Sequence, residues 1–294
     1  MTKLHPSLAA GRTAVVTGAA SGIGLAAARR FAQFGMNVVM ADRTVDLLAR
    51  EADSIRAQSN RTIVAMPVDV SSVAGLERLK AQAFELGQVS VLMNNAGIGN
   101  GGGAFEKPDR WRAVLDTNLW GVINGVQVFT QAMIDQKIAA AIVNTGSKQG
   151  ITTPPGDTAY NVSKAGVKVL TEGLAHSLRN IEGCQVTAHL LVPGFTHTGI
   201  GGPQGKEKPP GAWSADQVVD RMIERMSAGD FYIVCPDNEV TSDLDRKRIR
   251  WAADDIALNR PPLSRWHPDW KDKFAAFVAR DEPDQAIVAR DEKK

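Results

Sequence analysis

The sequence predicts an α/β protein built on a doubly wound, seven-stranded parallel sheet, because short β-rich runs alternate with longer helical stretches. The runs are apolar at nearly every position, which is typical of strands buried on both faces. Between them the apolar spacing is helical, as at Val45, Leu48 and Ala52. Repeated βα units of this kind bind ligands beyond the carboxyl ends of their strands. The predicted strands are Thr13–Thr17, Asn37–Ala41, Thr62–Pro67, Val89–Met93, Ala139–Asn144, Gln185–Val192 and Phe231–Cys235.

We predict that these elements form one domain, a Rossmann fold, over residues 1–240. Two glycine-rich segments interrupt the βα pattern and are predicted to be loops: Gly97 to Gly103, and a longer segment that contains GIGGPQGKEKPPG. The longer segment follows a strand end, so residues 196–213 form a candidate substrate lid. After Cys235 about sixty residues contain no further obvious strand. Residues 241–294 are therefore predicted to be a helical extension packed on the same domain.

The composition is that of a globular protein without a strongly charged surface. The 294 residues are 44% apolar and carry 34 basic against 32 acidic side chains, a formal charge of +2. This balance argues against a nucleic-acid or membrane-surface partner. The amino terminus lacks the apolar core of a signal peptide, and we expect a cytoplasmic protein. Cys184 and Cys235 lie in strand-like runs and lack zinc-type spacing, so they are predicted to be buried thiols and no metal site is expected.

The stretch TGAASGIG, Thr17 to Gly24, follows the first predicted strand and is a candidate phosphate cradle. Gly18 permits a sharp turn, while Gly22 and Gly24 allow backbone N–H groups and a helix N-terminus to approach a diphosphate. Ser21 and Ile23 belong to the same turn. About twenty residues later, Asp42 ends the second strand, where a carboxylate can accept hydrogen bonds from a ribose 2′-hydroxyl. These features favour NAD; Arg43 follows Asp42 and leaves NADP possible.

Tyr160 and Lys164 are four residues apart and therefore lie on one face of a predicted helix. A free phenol with a pKa of about 10 is a poor proton shuttle at neutral pH. A nearby ammonium group stabilises the phenolate, so we expect Lys164 to lower the pKa of Tyr160. Ser147 follows the fifth predicted strand, where its hydroxyl can bond a substrate oxygen beside the phenol. The pattern suits reversible proton transfer to and from an alkoxide.

From about Arg12 to Thr198 the sequence resembles the short-chain dehydrogenase/reductase family, through T-G-x-x-x-G-I-G, NNAG and Y-x-x-x-K. The resemblance implies a catalytic tetrad of Asn118, Ser147, Tyr160 and Lys164. Tyr160 would be the general acid/base, and Ser147 would polarise the reacting oxygen. Lys164 would hold the nicotinamide ribose and tune the tyrosine, while Asn118 would support a water-linked proton relay.

The resemblance also implies further contacts with the cofactor. Asp69 and Val70 would lie beside the adenine. Asn95, Ala96 and Gly97 would support the sheet beneath the cofactor. A segment after the sixth strand would contact the nicotinamide carboxamide through Pro193, Gly194, Thr196 and Thr198.

The expected reaction is hydride transfer between NAD and a secondary alcohol or ketone, with a small molecule as substrate. An NADP-dependent carbonyl reductase is the main alternative. A redox-sensing regulator should have lost at least one of the four catalytic side chains, and all four are present here. A sugar-nucleotide epimerase or dehydratase usually has a narrower glycine motif and a larger substrate domain, and neither feature is seen in this sequence. The family's aspartate-glycine-glycine ending is absent after the seventh strand. In the family that ending often helps to form one of the contacts of a tetramer, so we expect a homodimer here, with a tetramer possible.

Overall fold

The computed structural model describes residues 4–200 and 207–280 and contains a seven-stranded parallel sheet. The strand order is β3-β2-β1-β4-β5-β6-β7. The strands are β1 (Thr13–Thr17), β2 (Asn37–Asp42), β3 (Ile63–Pro67), β4 (Val89–Asn94), β5 (Ala140–Thr145), β6 (Val186–Val192) and β7 (Tyr232–Val234). The predicted fold class is confirmed, and the predicted runs match the strands to within two residues at each end.

Helices connect the strands and cover the sheet. They are α1 (Gly22–Gln33), α2 (Val45–Arg56), α3 (Val73–Glu85), α4 (Pro108–Leu115), α5 (Gly121–Asp135), α6 (Gln149–Thr152), α7 (Thr158–Arg179) and α8 (Ala215–Ser227). A π-helical turn, Asp116–Trp120, joins α4 to α5 without a break in the chain. None of the helices within the described ranges is long and apolar enough to cross a bilayer.

The core lies on both faces of the sheet because the central strands are buried throughout. Every residue of β1, β4 and β5 is buried. One apolar layer contains Phe31 of α1 and Met222 of α8. The opposite layer contains Leu79 of α3 and Phe129 of α5. The continuous apolar runs in the sequence therefore correspond to strands covered by helices on two sides.

The strand order changes direction at β1, and this positions the ligand site. The chain passes from β1 outward to β2 and β3, then returns to place β4 on the other side of β1. The connections that leave β1 and β4 consequently diverge at the carboxyl edge of the sheet. A crevice forms at such a reversal, and it is where open α/β sheets bind ligands.

The chain divides into two compact units, residues 1–241 and residues 242–294, each with its own internal contacts. The described part of the second unit contains α9 (Ser242–Ala257), two short 3₁₀ turns (Ser264–Trp266 and Pro268–Trp270) and α10 (Lys271–Val278). Trp251 lies at its centre, with ring centroids 5.3 Å from Phe274 and 5.2 Å from Phe277. Its indole N–H donates to Ser264 Oγ at 2.7 Å. The extension is helical within these residues; its packing on the larger unit stays a prediction.

A close backbone approach between α6 and α7 holds the region of Lys164. A Cβ atom placed on Gly150 would lie 2.4 Å from the carbonyl carbon of Lys164 and 2.8 Å from the amide nitrogen of Ala165. No side chain fits at that separation. Glycine at position 150 therefore allows the short helix after β5 to lie directly against the helix that carries Tyr160 and Lys164.

Replacing Gly150 with alanine should destabilise the protein, because the new methyl group would meet backbone rather than a movable side chain. Overpacking of this kind costs about 2–3 kcal/mol. The expected result is a lower free energy of unfolding in urea denaturation, by about that amount.

Gly173→Ala is the matched control, since Gly173 lies in α7 and a Cβ atom added to it would have nothing within 4 Å. That change should stabilise the protein by about 0.5–1 kcal/mol through helix propensity. Equal effects of the two substitutions would contradict the proposed close approach.

Candidate active site

A cavity of about 900 Å³ opens at the carboxyl edge of the sheet. Its walls come from the connections that follow β1, β2, β3, β4, β5 and β6, together with the start of α7. Every residue predicted to bind the cofactor or to act in catalysis lines this cavity, with two exceptions. The exceptions are Gly24 and Asn118, whose positions are explained by packing and by hydrogen bonds.

The glycine turn after β1 needs glycine for two different reasons. Gly18 and Gly22 have φ angles of +66° and +55°, in the left-handed region that other residues rarely adopt. Gly24 is required by packing, because a Cβ there would lie 2.2 Å from the carbonyl oxygen of Gly18. Gly24 thus brings α1 close to the turn without itself reaching the cavity.

The N-terminus of α1 faces the cavity and suits an anionic group. Ser21 occupies the N-cap position, but its side chain makes no capping hydrogen bond, and the first turn contains no acidic residue. The first N–H groups of a helix have no partner within the helix, and the helix dipole favours negative charge at this end. The turn therefore has the donors and the close approach that a diphosphate requires.

Asp42 lies at the end of β2 and lines the same cavity. Its carboxylate accepts hydrogen bonds from the amide of Ala20 at 3.1 Å and from the amide of Thr44 at 2.9 Å. An ionised carboxylate can accept about four hydrogen bonds, so acceptor capacity remains for ribose hydroxyls. The exposed Arg43 also lines the cavity. This end of the cavity thus contains both a carboxylate and a guanidinium group.

The adenine-side residues predicted by resemblance lie in the connection after β3. Asp69 and Val70 both line the cavity. Asp69 accepts hydrogen bonds from the amide and hydroxyl groups of Ser71, at 2.9 and 2.7 Å. Those bonds, with a smaller contribution from the charge of Arg43, lower the pKa of Asp69 against the opposing effect of burial.

The NNAG segment ties three strand ends together beneath the cavity. The hydroxyl of Thr17 accepts hydrogen bonds from the amides of Asn95 and Ala96, at 2.9 and 3.1 Å. The side chain of Asn95 donates to the Thr17 carbonyl at 3.1 Å and accepts from the Thr145 hydroxyl at 3.2 Å. The ends of β1, β4 and β5 are therefore held in a fixed relation.

Tyr160 and Lys164 lie one turn apart on α7, and both are buried. The Lys164 ammonium group donates to the backbone carbonyl of Thr145 at 2.8 Å and lies 5.6 Å from the centroid of the Tyr160 ring. The hydroxyl of Ser147, just past β5, lies close enough to the Tyr160 phenol to lower its pKa. A serine hydroxyl, a phenol and an ammonium group thus meet at one wall of the cavity.

The pKa of Tyr160 moves opposite to the sequence-based expectation. Burial raises it to about 12; the Ser147 hydrogen bond opposes this rise, and the negative charge of Asp157 adds to it. Burial also lowers the pKa of Lys164 to about 8. The expectation was wrong because it considered the cation four residues away and not the loss of hydration, which disfavours both charged forms.

Asn118 lies in the π-helical turn and does not line the cavity. Its amide group forms two bonds with the backbone of Ile98, each of 2.8 Å, and donates to Ser163 Oγ at 3.2 Å. The side chain therefore fixes the loop after β4 against α7. The proposed role of Asn118 in a water-linked relay stays a prediction.

Two residues that the sequence did not single out anchor the glycine-rich loop. Asp157 accepts hydrogen bonds from the amides of Gly101 and Gly102, at 3.1 and 3.2 Å, and caps α7 through the amide of Tyr160 at 3.2 Å. Arg110 donates to the carbonyl of Gly99 at 2.8 Å. The aspartate three residues before Tyr160 is an N-cap signal that sequence inspection could have used.

The predicted lid is described at both ends, and its middle, residues 201–206, lies outside the described residues. Its base is clamped, because the amide of Trp213 donates to the Phe195 carbonyl at 2.9 Å and the amide of His197 donates to the Trp213 carbonyl at 2.9 Å. Thr198 lies close to the glycine turn, since a Cβ on Gly22 would be 3.1 Å from its methyl group.

Comparisons with known proteins agree with this geometry. Residues 12–209 match the family model described as short chain dehydrogenase. A 1-deoxy-11-beta-hydroxypentalenate dehydrogenase of Streptomyces exfoliatus is 33% identical over 91% of this chain and 97% of its own length. A 3beta-hydroxysteroid dehydrogenase of Eggerthella lenta is 36% identical over 65% of this chain and 72% of its own length.

A solved structure is similar over most of the fold. The short chain dehydrogenase/reductase from Burkholderia phymatum, in complex with NAD, is 35% identical with a TM-score of 0.78. The similarity covers 86% of this chain and 96% of that chain. The chain therefore belongs to the short chain dehydrogenase family of oxidoreductases.

Proposed function

We propose that the protein is an NAD-dependent dehydrogenase that interconverts a secondary alcohol and a ketone, with Tyr160 as the general acid/base. One observation carries the proposal. A single cavity has a serine hydroxyl, a phenol and an ammonium group on one wall, and a glycine turn with a carboxylate at its other end. The first group suits proton transfer at a carbinol oxygen, and the second suits the adenosine diphosphate half of NAD.

The protein's own groups supply the proton chemistry. When bound, NAD supplies the hydride acceptor and a positively charged ring. For alcohol oxidation, Tyr160 must first release its own proton to water in the cavity, and the resulting phenolate accepts the hydroxyl proton while Ser147 donates a hydrogen bond to the substrate oxygen. Lys164, held by the Thr145 carbonyl, contributes positive charge beside the phenolate that must form transiently. In ketone reduction the same phenol donates its proton.

The raised pKa of Tyr160 affects how the site could catalyse alcohol oxidation and ketone reduction. A phenol with a pKa of about 12 holds its proton at neutral pH, so it is ready to act as an acid. To act as a base it needs added positive charge close by, because the Ser147 hydrogen bond does not offset the effect of burial on the phenolate. We propose that alcohol oxidation is the main direction because cellular NAD is usually in its oxidised form, and that oxidation depends on the positive charge supplied with that oxidised cofactor.

The preference for NAD is supported by Asp42. Its carboxylate lines the cavity at the end of β2 and is held in place by two backbone amides. A ribose hydroxyl can donate to it, whereas a 2′-phosphate would be repelled. Arg43 could pair with such a phosphate, which keeps an NADP-dependent carbonyl reductase as the second candidate.

The substrate is proposed to be a small molecule with a bulky apolar skeleton. Ile98, Phe195 and Ile200 line the same cavity as Tyr160. Large apolar side chains favour an apolar substrate by removing its surface from water. The two relatives described above are named for a hydroxylated pentalenate and a hydroxysteroid, which supports a secondary alcohol on a carbon skeleton.

We also propose that the protein works as a homodimer in the cytoplasm. Val162 and Val169 are seven residues apart on α7 and are 43% and 65% exposed. An exposed apolar face of this kind suits pairing with an identical helix. Light scattering coupled to size-exclusion chromatography would determine the assembly.

Tyr160→Phe should abolish most turnover while leaving the fold and NADH binding unchanged, because it removes only the proton carrier. Loss of a general acid/base costs about 10²- to 10⁴-fold in kcat. The measurement is NADH formation at 340 nm with a panel of alicyclic and aromatic secondary alcohols.

Tyr232→Phe is the matched control, since Tyr232 is the second of two tyrosines and lies half exposed on β7. That variant should keep turnover within about twofold of the parent. Undiminished turnover by the Tyr160→Phe variant would show that the assigned mechanism is wrong.

Asp42→Asn should weaken the preference for NAD over NADP, because the charge that repels a 2′-phosphate is removed. The ratio of kcat/KM with NADP to kcat/KM with NAD should rise about 10-fold or more. Asp46→Asn, an exposed carboxylate in the first turn of α2, is the control and should leave the ratio unchanged. A parent enzyme that already prefers NADP would overturn the assignment of Asp42.

A further inference from the structure

Asp237 lies in the connection after β7 and directs its carboxylate inward toward the candidate active site. Its side chain is only 5% exposed. One carboxylate oxygen, Oδ1, accepts hydrogen bonds from the amides of Glu239 at 3.1 Å and Val240 at 2.8 Å. The side chain is thus fixed by its own loop, and the second oxygen is left to bond elsewhere.

The second oxygen, Oδ2, joins two segments of the cavity wall. It accepts a hydrogen bond from the amide of Phe195 at 3.2 Å and pairs with the ammonium group of Lys148 at 3.3 Å. Phe195 belongs to the segment after β6, and Lys148 directly follows Ser147 after β5. Both residues line the cavity, whereas Asp237 lies behind them.

The two segments also contact each other directly. The amide of Lys148 donates to the Pro193 carbonyl at 3.3 Å. Gly194 lies between the members of the ion pair, since a Cβ there would be 2.7 Å from Asp237 Oδ2 and 2.8 Å from Lys148 Nζ. The glycine at position 194 is therefore required for the pair to form behind the Pro193 to Phe195 segment.

The electrostatics agree with an ionised Asp237. Burial is the largest single effect and acts to raise its pKa, but the hydrogen bonds from Phe195, Glu239 and Lys148, together with the charge of Lys148, outweigh burial and lower it. Removing the Asp237 carboxylate would take away both the acceptor of the Phe195 amide and a negative charge beside Lys148. The segment between the two charges would then lose its support.

We propose that Asp237 is a positioning residue that holds the Gly194–Phe195 backbone, and Lys148 with it, in the geometry needed for the nicotinamide half of the cofactor. The inference rests on the proposed use of NAD and extends it to a residue that does not line the cavity. The adenosine diphosphate half has its own supports, the glycine turn and Asp42, which Asp237 does not contact. Loss of Asp237 should therefore affect one half of the cofactor and not the other.

The test compares two ligands, NADH and ADP-ribose, the second of which lacks the nicotinamide ring. Asp237→Ala removes both the Phe195 hydrogen bond and the ion pair, so the Kd for NADH should rise about 10-fold while the Kd for ADP-ribose stays within about twofold. Asp237→Asn keeps an oxygen that can accept from Phe195 and should give a smaller rise. Isothermal titration calorimetry measures both ligands without a substrate.

Glu239→Ala is the matched control, because Glu239 is an exposed carboxylate two residues away in the same connection. It should leave both Kd values unchanged, and ADP-ribose binding reports that each variant is folded. Equal weakening of the two ligands by Asp237→Ala, or no change in either, would overturn the positioning role. If the parent protein bound neither ligand, the proposed cofactor would be wrong, and the inference would fail with it.

Discussion

The hydrogen bond from the Lys164 ammonium group to the Thr145 carbonyl, 2.8 Å long, is the interaction on which the site depends. It joins the carboxyl end of β5 to α7. It also provides a hydrogen-bond acceptor for the Lys164 ammonium group, which has lost its contact with water. Tyr160 lies one turn earlier on the same helix and is thereby placed beside Ser147. Gly150 permits this arrangement, because any side chain there would separate α6 from the Lys164 backbone.

Burial of this wall sets the proton chemistry of the site. The pKa of Tyr160 is raised and the pKa of Lys164 is lowered, both mainly by loss of hydration. A phenol in this state does not release its proton at neutral pH without additional positive charge. In the proposed mechanism Tyr160 can therefore act as an acid without help, and its use as a base would depend on the positive charge that arrives with the oxidised cofactor. Such coupling would keep proton transfer tied to hydride transfer.

Most of the fold and much of the site were accessible from the sequence, because both depend on local patterns. Buried strands in a doubly wound sheet are continuous apolar runs, and the runs identified β1 to β7 closely. Strand ends converge on one edge, so Asp42, Ser147 and Pro193 could be assigned to one cavity. Chain spacing alone placed Tyr160 and Lys164 on one helical face.

The remaining features depend on tertiary contacts that no local pattern reports. The ion pair of Lys148 and Asp237 joins residues 89 positions apart. Asn118, in the π-helical turn, bonds to Ile98 and Ser163, which lie in different segments. The sign of the pKa shift at Tyr160 was wrong in the sequence-based expectation because burial depends on the whole fold. Contacts between distant segments therefore account for what sequence inspection missed.

Whether the buried phenol of Tyr160 ionises only when positive charge is added can be measured directly by its absorbance. In the Tyr232→Phe variant Tyr160 is the one remaining tyrosine, so phenolate absorbance near about 295 nm reports its ionisation alone. We expect no phenolate up to a pH of about 10.5 in the protein alone, and phenolate below a pH of about 9 with saturating NAD. Phenolate at an ordinary pKa without NAD, or a titration that NAD does not change, would contradict this expectation.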